Sequence, residues 1–203
     1  MTVKHRKREE IFPEAALLIS VKLNRELPSL RERQCLAVIH LSLNAAKERF
    51  GMRVLEFAVL GNHLHYIVQV EDNEALSRGM QGLLIRTAKA LNKLWGRKGK
   101  VFAERFHSSL LKHRWALIRA IRYVLQNGRK HGIRLPADRP DPYTSGPWFK
   151  GWKEQYGTPF DSSEPPVSPM VWNIYCMQEA HRQICISLTE LPGPRPDGLT
   201  RLL

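Results

Sequence analysis

Two short apolar runs separated by a two-residue turn constrain this chain more than any other feature. VLEFAVL, residues 54–60, is followed by Gly61-Asn62 and then HLHYIVQV, residues 63–70. β-Branched and aromatic residues in runs of this length read as strands, and a Gly-Asn pair between them reads as a hairpin. In a strand, alternate side chains share a face. His63 and His65 therefore point one way, while Leu64 and Tyr66 point the other.

The hairpin sits inside a longer pattern. Residues 15–23 (AALLISVKL) form a further strand. Pro28-Ser29 then opens a helical stripe of Leu36, Ile39, Leu43, Ala46 and Phe50, which Gly51 terminates. After the hairpin, Leu76, Met80, Leu83, Leu84, Thr87, Leu91 and Leu94 mark a long helix. GRKGK, residues 96–100, is a basic loop, and residues 101–111 (VFAERFHSSLL) read as a fourth strand. A last helix runs from about Arg114 to Lys130, with Ile118, Ile121 and Leu125 on its apolar stripe. The order β-α-β-β-α-β-α predicts an α+β fold whose first six elements match the ferredoxin-like split β-α-β arrangement. Helices are expected on one face of the sheet, the other being left for a site. From Pro136 onward, prolines and tryptophans punctuate the chain. The reading is a domain over 1–135 and an irregular Pro/Trp-rich extension, 136–203, packed on it.

The charge balance narrows the function. Among 203 residues, 32 are Lys or Arg and 19 are Asp or Glu, a net charge of +13. Such an excess favours a polyanionic partner through phosphate contacts and counterion release. Cys35, Cys176 and Cys185 are widely spaced with no CxxC pair, so neither a zinc ribbon nor a disulfide framework is suggested. No stretch approaches the ~20 apolar residues of a membrane helix, and no signal-peptide pattern follows the basic start. A cytoplasmic, nucleic-acid-binding protein is expected.

Two features carry chemistry. Imidazoles one strand repeat apart, as at His63 and His65, can chelate one divalent metal, though a His-x-His triplet alone needs a converging third ligand. Tyr123 and Asn127, four residues apart on the last helix, share a face. A tyrosine oxygen can attack phosphorus and hold DNA covalently, and an Asn carbonyl can complete a metal shell. Tyr123 reads as lying off the apolar stripe, with Arg119 beside it. Tyr66 points to the opposite sheet face, and Tyr143, Tyr156 and Tyr175 lie in the extension. Candidate DNA contacts are Arg86, Lys89 and Lys93 at helical spacing, Arg97, Lys98 and Lys100 in the loop, and Arg105 and His107 alternating on the next strand. Trp95 and Phe106 are candidates for stacking on bases. Together these are expected to cluster around the histidine face.

Residues 54 to about 132 resemble the HUH single-tyrosine transposases, specifically the REP-associated tyrosine transposases of bacteria. The resemblance rests on the order of GNHLHYIVQ, SRGMQGLLIRTAKALNKLWGRKGKVFAERFHSSLL and IRYVLQNGRKHGI. It implies cleavage of single-stranded DNA through a 5′-phosphotyrosine intermediate and a free 3′-hydroxyl, with Mg²⁺ or Mn²⁺ and hairpin-bearing DNA as substrate. By position it makes Tyr123 the nucleophile, His63 and His65 metal ligands, and Asn127 the third ligand. Gly61, Gly128 and Phe102 stand where that family often has Pro, Pro and Trp. A non-cutting DNA- or RNA-binding protein on the same fold is the alternative, and a metal-dependent hydrolase using water is a third reading. Monomer and homodimer are both open.

Overall fold

The computed structural model describes residues 10–154, 165–168 and 186–191. Its elements are β1 (Ala15–Lys22), α1 (Arg33–Asn44), β2 (Glu48–Arg49), β3 (Met52–Val59), β4 (His63–Val70), α2 (Asn73–Leu94), β5 (His107–Leu110), α3 (Arg114–Leu125) and α4 (Asn127–Lys130), with a 3₁₀ turn at Gly146–Trp148. They build one five-stranded sheet in the order β2-β3-β4-β1-β5, every pairing antiparallel. The four longer strands have the order of a ferredoxin-like split β-α-β fold.

Strand alternation sorts the core into two layers. Ala15, Leu17, Ile19 and Val21 of β1 join Leu64, Tyr66 and Val68 of β4 under α1 and α2. Ala16 and Leu18 join Ile67 of β4 and Leu55 and Ala58 of β3 under Leu117, Ile121 and Val124 of α3. A bulge between Val54 and Glu56 shifts the parity of β3, so Val54 and Phe57 face the same layer although three residues apart. Because both faces are covered, all eight positions of β4 are buried. The second face is therefore not left open, as the sequence suggested: α3 packs across it.

Three local readings change. The first helix stops at Asn44, short of Ala46 and Phe50. Phe50 and Gly51 both have positive φ, 59° and 72°, and make the two-residue turn between β2 and β3, so Gly51 turns a hairpin instead of ending a helix. The strand read over 101–111 is confined to His107–Leu110. Phe102 makes only an isolated bridge to Leu23. The last helix is not continuous to Lys130. It stops at Leu125, Gln126 sits at φ −106° and ψ 8°, and a single turn then restarts at Asn127.

α2 is capped by Asp72, whose carboxylate accepts from the Ala75 N–H at 2.7 Å. The described part of the extension seals the outer edge of β3. Val59 N–H donates to Tyr143 O (2.7 Å), Ser145 N–H to Phe57 O (3.0 Å) and Ser168 N–H to Val54 O (2.9 Å). An exposed edge would otherwise offer unpaired peptide groups to other chains. A bidentate pair fixes this segment: Arg31 donates to both carboxylate oxygens of Asp141 at 2.9 Å. Among the described residues, no helix is long and apolar enough to cross a membrane.

Candidate functional site

The hairpin places His63 and His65 on the face of β4 that α3 covers, with Leu64 fully buried on the other side. The imidazole centroids are 4.8 Å apart with the rings at 82°. Each ring is held through Nδ1. His63 Nδ1 donates to Asn62 Oδ1 at 2.7 Å, and His65 Nδ1 pairs with Ser20 Oγ at 2.9 Å. A partner on Nδ1 fixes ring orientation and directs Nε2 toward a ligand, the usual arrangement for a metal-binding imidazole.

α3 and α4 close over this pair. The Tyr123 ring meets the His65 ring edge-on, with centroids 5.2 Å apart. Lys130 Nζ stands 4.9 Å from the centroid of the Tyr123 ring, and the His131 ring lies 5.5 Å from that of His63. Tyr123 is not off the apolar stripe. Its neighbours on the buried face are Leu117, Ala120, Ile121 and Val124, and it is 6% exposed, whereas Ile118 is only part-buried. Arg119 is exposed on the outer side of α3. The cation found over the ring is Lys130.

Asn127 is the anomaly of the site. It is fully buried, and neither Oδ1 nor Nδ2 of its amide has a hydrogen-bond partner among the described residues. Buried amides are nearly always paired, and an orphaned one costs about 1–3 kcal/mol. An amide oxygen and two oriented imidazoles are the donor types that a divalent cation accepting nitrogen and oxygen ligands would use. Among the described residues, no trio of His, Cys, Asp or Glu is arranged to hold an ion, so a metal here would rest on His63, His65 and the Asn127 amide.

The other tyrosines are poorer nucleophiles. Tyr66 is fully buried under α1 and α2, and burial pushes its hydroxyl pKa well above the ordinary value. Burial also raises Tyr143, against the Arg31 guanidinium 4.3 Å from its ring. Tyr156 and Tyr175 lie outside the described residues.

The basic residues do not gather on one face. Arg86, Lys89 and Lys93 are exposed on α2, in the layer opposite the histidines. Arg97 donates to Asn92 Oδ1 at 2.7 Å and Lys100 to Ala103 O at 2.5 Å, holding the loop in which Lys98 is exposed. Arg105 lies exposed in the loop before β5 and not on the strand. His107 opens β5 opposite Ser20, in the same row and on the same face as His65. Sequence reasoning missed Ser20, Lys130 and His131. The last two stand within one helical turn after Asn127 and could have been weighed with it, whereas Ser20 becomes visible only through the β1–β4 register.

A sequence model described as "Transposase IS200 like" matches residues 19–127, more than half of the chain, and the chain belongs to that family. It is similar in fold to a REP-associated tyrosine transposase solved bound to a REP hairpin. That match has a TM-score of 0.58 and 16% identity, and covers 70% of this chain and 82% of the other. A Deinococcus radiodurans R1 protein described as a transposase aligns more loosely, with a TM-score of 0.41 and 8% identity over 67% of this chain and all of its own. No curated protein sequence matches the chain.

Proposed function

We propose that this transposase cuts and rejoins single-stranded DNA through a 5′-phosphotyrosine intermediate on Tyr123, at hairpin-containing sequences. The observation that carries the reading is the contact of the Tyr123 ring with His65, together with a buried Asn127 amide, four residues on, that none of the described residues satisfies. His63, His65 and Asn127 would hold Mg²⁺ or Mn²⁺, which when bound polarises the scissile phosphate and neutralises charge growing on its oxygens. The protein's own part is positioning. Ser20 and Asn62 orient the imidazoles, α3 lays the phenol beside them, and Lys130 brings positive charge to the ring. Tyr123 Oη attacks phosphorus as its proton passes to solvent, the P–O bond to the 3′ oxygen breaks, and the departing 3′ oxygen takes a proton from solvent to become the 3′-hydroxyl. Residues 1–135 carry this chemistry, and 136–203 support it as an extension.

The hairpin preference follows the solved relative, which was captured on a REP hairpin. The net charge of +13 supports a DNA partner, to which the loop cations Arg97, Lys98 and Lys100, together with Arg105, His107 and Arg119, would contribute. Arg86, Lys89 and Lys93, on the opposite layer, would act only on DNA that wraps the domain. The burial of Tyr123 also suits a non-cutting binder on the same fold. Incubation with single-stranded hairpin DNA and Mn²⁺, followed by denaturing electrophoresis, separates the two: the proposal requires a covalent protein–DNA adduct, and a non-cutting binder forms none.

A further inference from the structure

α3 carries a second feature that the nucleophile does not explain. Trp115, in its first turn, is 61% exposed. A tryptophan normally buries much of its large ring, and here its flat faces are left in water, available to a stacking partner. Its surroundings indicate which partner. Leu41 on α1, Phe50, which packs near Gly82 of α2, and Ile85 on α2 belong to the opposite layer, while exposed Leu191 follows Glu190, which pairs with Arg122 farther along α3, and Phe12 precedes β1. Lys112 and Arg119 are exposed beside Trp115, and Arg119 is one helical step of four residues away on the same side. Part-buried Ile118 and then Arg122, held by Glu190 at 2.8 Å, continue the stripe toward Tyr123. An exposed ring with Lys112 and Arg119 close to it in sequence does not suit a purely apolar protein surface. It suits a strand with π-faces on one side and phosphates on the other.

The direction of α3 supports the same reading. Leu111 N–H donates to Ala16 O, near the start of β1, so α3 begins at that end of the sheet. It ends with Tyr123 on His65, which pairs with Ser20 near the other end of β1. Eight residues of helix put Trp115 about 12 Å from Tyr123 along the axis. We infer that Trp115 is a base-stacking platform for the unpaired strand entering the site, with Arg119 taking an adjacent phosphate. This rests on the proposal that single-stranded DNA reaches Tyr123.

The test is equilibrium binding by fluorescence anisotropy of the full chain without divalent metal, so no cleavage is needed. The probes are a blunt DNA hairpin, the same hairpin with an unpaired tail on either side, and tailed hairpins whose unpaired nucleotides are abasic. Trp115→Ala is expected to weaken binding of one natural tailed hairpin about tenfold, as for the loss of one base stack, and to leave the blunt hairpin unchanged. Trp115→Phe should restore most of the loss. The abasic tail should bind wild type as weakly as the natural tail binds Trp115→Ala, and should be insensitive to that substitution. An equal loss on blunt and tailed hairpins, no loss on either, or an abasic tail bound as tightly as the natural one would overturn the inference. No loss on either would assign the ring to another partner. Because no adduct is read here, failure of cleavage chemistry at Tyr123 leaves this result distinct, and the reverse also holds.

Discussion

The Tyr123 ring stands edge-on to the His65 ring, with centroids 5.2 Å apart and planes at 71°. This joins the helical tyrosine to the strand histidines across 58 residues of sequence, although neither element predicts the other. Asn127, four residues beyond Tyr123, is fully buried at the start of the turn that follows α3.

Asn127→Leu separates stability from function at this position. The wild-type amide is buried and orphaned, so a leucine, with the same branched skeleton and no polar atom, removes a desolvation penalty of about 1–3 kcal/mol. The metal-free variant is expected to melt at or above the wild-type temperature by calorimetry. Added Mn²⁺ should raise the wild-type transition and leave the variant unmoved, because a ligand stabilises only the state that binds it. A variant that melts lower and still responds to Mn²⁺ would contradict the assignment.

Gly128 explains one departure from the family pattern. A Cβ at this position would collide with the Asp141 carboxylate. Gly128→Ala is therefore expected to lower unfolding free energy by about 1–3 kcal/mol in urea titrations, as overpacking does. An unchanged midpoint would show that the carboxylate yields freely.

Asp141 is itself a brace between the extension and the domain. Its side chain is 1% exposed and takes both Arg31 nitrogens. Asp141→Ala leaves the part-buried Arg31 guanidinium without its counter-charge and should cost about 3–5 kcal/mol. Chemical denaturation reads this directly, and a loss below about 1 kcal/mol would place the pair among ordinary surface bridges.

Affinity for single-stranded DNA should depend steeply on salt. If about 5 phosphates are contacted, the log–log slope of the binding constant against salt should be about −3.5. A slope near zero would remove the electrostatic basis of binding that the +13 charge suggests.

The strands and the histidine face were legible in the sequence because period-2 alternation is local. It gave β1, β3 and β4 to within a few residues, and put Leu64 under the helices. The covered second face was not legible. Ile118, Ile121 and Leu125 look like a stripe, but a helix on a sheet buries a wide arc, and Leu117, Val124 and Tyr123 fall inside it. The break at Gln126 left no local trace. Its side chain donates to the carbonyls of Ser187 and Leu188 at 2.8 Å, a tertiary interaction from some 60 residues away. Arg86, Lys89 and Lys93 looked like part of one basic cluster because helical spacing gives a face but not the layer in which that face lies.

The central claim is that Tyr123 is the nucleophile, and the adduct on its oxygen tests it most directly. Wild type incubated with single-stranded hairpin DNA and Mn²⁺ should show a covalent species on a denaturing gel, and mass spectrometry should place it on Tyr123. Tyr123→Phe should abolish that species and leave DNA affinity nearly intact, since only one oxygen is removed. An adduct that persists in Tyr123→Phe, or that maps to another residue, would contradict the account.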